Sequence, residues 1–144
     1  MSKFKSDRAV IILAACLLAA PALAEEAQGA YISIELNAVE PVEDACRISF
    51  LVQNGHGYDI GQAVYEAVLF DTQGRVDRLT LFDFGALPAA RSRVRQFVVP
   101  ELGCASLGRL LINGVETCAG DNLPAGACSE GLALHSRTGV EVLG

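Results

Sequence analysis

The chain has 144 residues, 51% of them hydrophobic, and a formal net charge of −6. Residues 25–144 contain eight Arg, no Lys and sixteen Asp or Glu, which gives this part a formal net charge of −8. That balance argues against nucleic acid as a partner, because nucleic-acid binding needs a basic face, and against adsorption to anionic lipid. The length suits one ordinary domain.

The first 24 residues have the order of a cleavable secretory signal peptide. A basic start is followed by the uncharged apolar residues 9–20, and Ala22-Leu23-Ala24 supplies small residues for a signal peptidase. The apolar run is too short to span a bilayer, which takes about 20 apolar residues. We therefore predict Sec-type export, cleavage after Ala24, and a mature chain, residues 25–144, without a transmembrane anchor.

A lipoprotein is the alternative form of export. Leu13-Ala14-Ala15-Cys16 fits the pattern in which Cys16 is lipidated and becomes the first residue. However, the residues after Cys16 remain apolar up to Pro21, and a conventional cleavage site follows. The sequence therefore favours the soluble form over the lipoprotein.

Four cysteines remain after cleavage at Ala24: Cys46, Cys104, Cys118 and Cys128. An even number in an exported chain predicts disulfides, for which three connectivities are open. A zinc site needs close pairs such as C-x₂-C, and the cysteines are too far apart in sequence for that. We therefore expect a domain stapled by two disulfides.

Alternating apolar and polar residues, with turns every eight to twelve residues, predict an antiparallel all-β domain. The third strand is apolar on nearly both faces, as expected of a central strand, and ends in a hairpin at Asp71–Gly74. A turn at residues 87–90 precedes the fifth strand. The predicted strands are 32–37, 46–53, 63–70, 76–84, 92–99 and 109–113, followed by a closing hairpin within 132–143 across Thr138-Gly139.

Residues 32–99 resemble the short immunoglobulin-like sandwiches of bacterial exported proteins, including the FxLYD type. The similarity rests on Asn54, the Leu69-Phe70-Asp71-x-x-Gly74 hairpin, the Leu87-Pro88-Ala89 turn and the strand around Phe97. The whole chain also looks like small exported proteins of Gram-negative bacteria. The resemblance implies a single immunoglobulin-like antiparallel β-sandwich of about seven strands and a periplasmic location. It implies no chemistry, because such folds host many functions.

Strand order selects one of the three disulfide connectivities. If the strands run alternately up and down, the start of the second strand and the loop after Val99 lie at the same end. This predicts the pairs Cys46–Cys104 and Cys118–Cys128.

The glycine-rich segment 54–61 is a candidate binding loop. It places His56, Tyr58 and Asp59 between the second and third strands, at an end of the sandwich where binding residues are often displayed. The simpler interpretation is a connection in which glycine permits the required turns. A ligand or metal carrier that uses this loop is the alternative function.

Arg91, Arg93 and Arg95 are a second candidate partner-binding group. Residues two apart on a strand share a face, so the three would form a cationic ladder roughly 14 Å long. The functional interpretation is a docking strip for an acidic protein partner. The structural interpretation is pairing with acids such as Asp77, Asp83 or Glu66, or simple solvation.

No catalytic constellation stands out in this sequence. There is no G-x-S-x-G motif, and only His56 and His135 could act as imidazole bases. Residues 25–144 contain no Met, which argues against a copper carrier. By elimination we predict a non-catalytic protein-interaction module without cofactor or metal, an accessory subunit or assembly factor of an envelope complex. An unrecognised enzyme stays the less favoured possibility.

Overall fold

The computed structural model describes residues 31–144, so the predicted signal peptide, its cleavage site and Cys16 lie outside the described residues. Within that range the chain forms strands and one short 3₁₀ segment at Cys104–Ser106. The strands are β1 (Ile32–Val42), β2 (Ala45–Asn54), β3 (Ile60–Asp71), β4 (Val76–Leu87), β5 (Arg91–Pro100), β6 (Leu107–Ala119), β7 (Ala133–Ser136) and β8 (Glu141–Leu143).

The strands form two four-stranded sheets that pack as a sandwich. The strand orders are β5-β2-β1-β7 in one sheet and β4-β3-β6-β8 in the other. The predicted all-β sandwich is therefore confirmed, and β3 has the central position that its apolar faces predicted. β4 and β5 are each the outer strand of their sheet, on the same side of the sandwich.

The prediction of a closing hairpin within residues 132–143 was wrong. β7 pairs in parallel with β1, whereas β8 pairs in parallel with β6 in the opposite sheet. Val140, between them, is only 5% exposed, so this segment carries the chain across the core. The Ser136 hydroxyl supports the crossing, because it accepts from the Thr138 amide at 3.1 Å and donates to the Val140 carbonyl at 2.6 Å.

Period-two alternation explains the core. In β2, Cys46, Ile48, Phe50 and Val52 are fully buried, because alternate side chains of a strand point to the same face. An aromatic cluster fills the space between β2, β4 and β5, with Phe50 and Phe82 centred 5.0 Å apart and Phe82 and Phe97 4.8 Å apart. Tilted rings at such distances add to the stabilisation from burial.

Both predicted disulfides are confirmed, Cys46–Cys104 and Cys118–Cys128. The first lies where the strand order placed it, because Cys46 pairs with Val99 across β2 and β5. Two disulfides indicate an oxidising compartment outside the cytoplasm. Among residues 31–144 there is no helix with the length and apolarity to span a bilayer.

The predicted β3–β4 hairpin is also present. Gly74 adopts a φ of +79°, a backbone conformation that favours glycine, and its amide donates to the Asp71 carbonyl at 3.0 Å. The Asp71 carboxylate accepts from the backbone amide of Arg75. That hydrogen bond is the main reason why the pKa of Asp71 lies below its ordinary value.

Candidate interaction surface on the β4–β5 edge

The candidate binding loop at residues 54–61 is held by internal hydrogen bonds. The buried Asn54 amide donates to the carbonyls of Tyr58 and Leu87 at 2.9 and 2.8 Å, and its oxygen accepts from the His56 amide. The His56 carbonyl accepts from the Ala90 amide at 3.1 Å. The loop is thereby tied to the β4–β5 turn.

The three polar side chains proposed for this loop are largely engaged. His56 is 6% exposed, its Nε2 lies 2.8 Å from the Ala127 carbonyl, and its ring stacks on Tyr58 at 4.7 Å. Asp59 accepts from the Ala89 amide at 2.7 Å. A shallow cleft of about 400 Å³ lies beside Tyr58, Asp59 and Asp121.

These contacts favour the structural interpretation of the loop. Within residues 31–144, no three His, Cys, Asp or Glu side chains are grouped so that they could hold a metal ion. Nearby, Tyr65 donates its buried hydroxyl to the Cys128 carbonyl at 2.7 Å, and burial raises the pKa of that hydroxyl. Tyr65 and His56 together fasten the segment that contains the second disulfide.

Exposed apolar side chains are concentrated on the two outer strands β4 and β5. We call this side of the sandwich, residues 76–87 and 91–100, the β4–β5 edge. Every large hydrophobic side chain that is exposed within residues 31–144 lies on it, at 53% to 63% exposure. These side chains are Val76, Leu79, Leu81, Val94 and Val98. Leu79 and Leu81 face outward from one sheet, and Val94 and Val98 face outward from the other. Exposed apolar side chains on edge strands mark contact sites or aggregation hazards.

The cationic ladder lies on the same edge. The eight arginines of residues 25–144 all fall within the described residues 31–144. Five of them form ion pairs there: Arg47, Arg75, Arg78, Arg109 and Arg137. The three in that range without an ion pair are Arg91, Arg93 and Arg95. They share the face of β5 that turns toward the other sheet, since their register partners include the buried Phe50 and Val52 of β2.

The acids that the structural interpretation of the ladder named are engaged elsewhere, so that pairing was wrong. Asp77 pairs with Arg78, its neighbour in sequence, at 2.6 Å. Asp83 accepts from the Gln62 side chain and from a backbone amide, and Glu66 accepts from Asn113. β4 and β5 belong to different sheets, so residues on these two strands are not cross-strand neighbours. Asp77 and Asp83 therefore do not lie opposite the arginines of β5.

Arg95 instead bridges the two sheets through backbone carbonyls. Its Nε donates to the Phe84 carbonyl at 2.6 Å and its Nη2 to the Ala86 carbonyl at 3.1 Å. Its Nη1 also donates to the carbonyl of Val94 on its own strand. Charge-assisted hydrogen bonds of this type are among the stronger ones in proteins, so Arg95 has a structural role.

Arg78 makes the reciprocal bridge at the other end of the edge. From β4, its Nη1 donates to the Pro100 carbonyl at 2.8 Å, at the end of β5. Its Nη2 lies 3.4 Å from the next carbonyl, that of Glu101. The two outer strands are therefore joined by one arginine at each end.

A groove of about 360 Å³ separates the strands between these two bridges. Thr80, Phe82, Gln96 and Val98 are among the residues that line it. It is open to solvent along one side, and the Phe82 and Phe97 rings underlie it. The edge thus combines a groove, exposed apolar side chains and the arginine ladder.

Comparison with solved structures shows the fold alone. The structure of IrmA from Escherichia coli matches this chain with a TM-score of 0.54 at 14% sequence identity, over 74% of this chain and 91% of that chain. The chain is therefore a disulfide-stapled β-sandwich similar to IrmA. No protein-family model and no curated protein sequence matches it.

Sequence reasoning found the ladder but missed most of this surface. Alternation predicts Leu79, Leu81 and Val98 only as parts of strands, because the sequence does not show which strands are outermost. Arg78 was not singled out at all. The one hint in the sequence is that alternation places Arg78 on the same face of its strand as the inward-pointing ring of Phe82.

Proposed function

We propose that the protein is an exported, non-catalytic interaction module of the cell envelope that binds a protein partner through the β4–β5 edge. The observation that carries this proposal is the coincidence of two properties on one side of the sandwich. The exposed large apolar side chains and the arginines without ion pairs, within residues 31–144, all lie there.

The signal-like residues 1–24 and the two disulfides support the periplasm as the location. The first predicts passage through the Sec route, and the second fits an oxidising compartment. Cleavage at Ala24 leaves a soluble mature chain, whereas lipidation of Cys16 would tether the same domain to a membrane. We also propose that this β-sandwich is an immunoglobulin-like domain of the FxLYD type.

The non-catalytic assignment rests on the chemistry of the candidate groups. A nucleophile needs an imidazole or another base within reach. Of the two histidines, His56 is buried against the Ala127 carbonyl, which leaves it unsuited to take a proton from a substrate. The Tyr65 hydroxyl is likewise committed to a carbonyl.

The partner's contact surface should be acidic and apolar. Residues 25–144 carry a formal net charge of −8, so most of this chain repels an acidic protein. Arg91 and Arg93 are the local exception, and guanidinium groups bind carboxylates through paired donors. Val94 and Val98, on the outer face of the same strand, would contribute apolar contact area.

The proposal is tested with an Arg91→Gln/Arg93→Gln double variant of the tagged mature protein. After chemical cross-linking in the native envelope, we expect it to capture much less of the partner than the wild type. Arg95 is left in place because it bridges the sheets. The matched control is Arg109→Gln/Arg137→Gln, which removes two exposed arginines near β7 and β8 and should leave capture unchanged.

Equal capture by both double variants and the wild type, at the same salt tolerance, would refute the role of the ladder. A circular-dichroism melt of each variant shows whether the fold is intact, so that loss of capture is not mistaken for unfolding.

A further inference from the structure

The hydrogen-bonding direction of β5 follows from the pairing of its neighbour β2 with β1. The Gly55 amide donates to the Tyr31 carbonyl at 2.9 Å, one position beyond the register pair of Ile32 and Asn54. Hydrogen-bonded and non-bonded pairs alternate in an antiparallel ladder, so Asn54 and every second residue before it in β2 point their backbone groups toward β5. The residues of β5 that complete these pairs are Arg91, Arg93, Arg95 and Phe97.

The alternate residues of β5 therefore turn their backbone groups outward, to the open edge of the sheet. They are Ser92, Val94, Gln96, Val98 and Pro100. Pro100 agrees with this assignment, because proline has no amide hydrogen and occurs in edge strands where that position faces solvent. Arg78 agrees as well, since it reaches the Pro100 carbonyl from β4 at 2.8 Å.

Arginine side chains cover outward carbonyls near both ends of β5. Two of these contacts come from β5 itself and one comes from β4, and in each the guanidinium group donates to a backbone carbonyl. A charged donor on an edge carbonyl competes with any other chain that would pair there. The contacts are Arg93 with Ser92 at 3.0 Å, Arg95 with Val94 at 3.1 Å and Arg78 with Pro100 at 2.8 Å.

Gln96 and Val98 lie between the covered carbonyls, and we call these two residues the open window of β5. Within residues 31–144, no hydrogen bond outside the sheets engages their backbone amides or carbonyls. The window borders the groove between β4 and β5, which Gln96, Phe97 and Val98 help to line. Unpaired backbone groups on an edge strand are a template for another chain. In β5 the arginine contacts and Pro100 confine that template to the window.

We infer that the open window of β5 binds an extended segment of the partner protein, which adds a fifth strand to the β5-β2-β1-β7 sheet. This inference rests on the proposed function and names the chemistry of the partner. In strand addition, backbone hydrogen bonds provide affinity and alternate side chains provide specificity. The segment pairs antiparallel, which is the commoner kind of pairing, and bonds to the amides and carbonyls of Gln96 and Val98.

The side chains of β5 determine the composition of this segment. On the outer face, Val94 and Val98 are 63% and 57% exposed, so apolar side chains of the segment cover them. On the inner face the segment passes Phe97 first and then approaches Arg93 and Arg91. Arg93 is four residues from Phe97, about 14 Å at 3.4 Å per residue. The antiparallel segment is therefore apolar over the window and acidic at its carboxyl-terminal end.

The probe is a synthetic peptide of alternating Val and Thr that ends in three acidic residues. Amide hydrogen exchange is followed by NMR on the whole mature protein. We expect the Gln96 and Val98 amides to exchange readily without peptide. They should slow about tenfold when the peptide is at about ten times its Kd, since the free fraction then falls to roughly a tenth. The Arg95 and Phe97 amides point to β2, so they should be protected with and without peptide.

A proline substitution tests the outward hydrogen bonds without removing a bond between β5 and β2. Val98→Pro removes one outward amide and should abolish the slowing at Gln96. Val98→Thr is the matched control, because it keeps the amide, and it should still bind the peptide. Arg93→Gln should weaken binding several-fold, whereas Arg137→Gln should not. A circular-dichroism melt shows whether each variant is folded.

A peptide methylated at alternate backbone nitrogens tests the same bonds on the wild-type protein. It should not bind, because it cannot form the ladder. Unchanged exchange at Gln96 and Val98, or equal binding of the methylated peptide, would overturn the inference. Slowing of these amides with protein concentration alone would also overturn it, because a second copy would then occupy the edge.

The inference and the proposed function can fail separately. If partner capture depends on Arg91 and Arg93 but the peptide gives no protection, the window is wrong and the proposed function stands. If the peptide binds but capture does not depend on these two arginines, the proposed function fails instead.

Discussion

Arg95 on β5 donates from Nε to the Phe84 carbonyl on β4 at 2.6 Å, and this contact joins the outer strands of two different sheets. The two sheets of a sandwich share no ladder of backbone hydrogen bonds. The outer strands β4 and β5 are therefore otherwise held together only by side-chain packing. Arg95 adds a directional link there, and Arg78 adds a second one at the Pro100 carbonyl.

Replacing Arg95 should therefore cost stability. We expect Arg95→Gln to lower the free energy of unfolding by about 1–2 kcal/mol, since it removes charge-assisted bonds at a half-buried site. Arg95→Lys should recover only part of this, because an ammonium group lacks the planar fork. Urea denaturation measures both. The neighbouring exposed Arg91→Gln should be nearly neutral, and equal losses at positions 91 and 95 would contradict the bridge.

The two disulfides should differ in their contribution. Cys46–Cys104 closes a separation of 58 residues and Cys118–Cys128 one of 10. In the loop-entropy account these closures stabilise by about 4 and about 3 kcal/mol. Replacing both cysteines of each pair with Ala should thus be more damaging for the first pair, which also removes the buried Cys46. Thermal unfolding gives the order, and the reverse order would contradict the account.

His56 should act as a structural group. In His56→Phe the aromatic stack on Tyr58 can persist, but the buried Ala127 carbonyl loses its partner. We expect a loss of about 1–3 kcal/mol, the usual cost of an unsatisfied buried polar group. Proteolysis between residues 120 and 132 should also become faster. If denaturant titration shows an unchanged free energy of unfolding, His56 has no structural role. The loop at residues 54–61 would then again be a candidate binding site.

Glu35 should make the attachment of the C-terminal strands sensitive to acid. A hydrogen bond from Asn37, followed by the charge of Arg137, holds the pKa of Glu35 below its ordinary value of 4.5. A lowered folded-state pKa gives stability that is complete above pH 4.5 and is lost as the pH falls through the folded-state pKa. The melting temperature of Glu35→Gln, compared with wild type between pH 6 and 3, should converge on the wild-type value in acid. A constant difference would contradict this.

Much of the sandwich could be predicted because its signals are local. Alternation in β1 and β2, and Gly74 in the hairpin, each specify structure within a few residues. The parallel additions of β7 and β8 could not be predicted in this way, because a four-residue and a three-residue strand carry almost no pattern. Their partners, β1 and β6, are distant in sequence.

The candidate surface was only partly predictable for a related reason. Alternation places Arg91, Arg93 and Arg95 on one face, but it does not show that this face borders a gap between sheets. The acceptors of Arg95 are backbone carbonyls, which leave no trace in the identity of residues 84 and 86. The sequence therefore suggests acidic side chains as partners, whereas in the structure Arg95 donates to backbone carbonyls of β4 instead.

The most direct test of the central claim is site-specific photocross-linking in living cells. A photoreactive residue at Leu79 or Val98, both exposed on the β4–β5 edge, should give a discrete heavier adduct with another protein. The same residue at the exposed Glu130 or the half-buried Thr138, both outside that edge, should give none. Adducts from Glu130 or Thr138 with none from Leu79 or Val98 would contradict the assignment of the β4–β5 edge as the partner-binding surface.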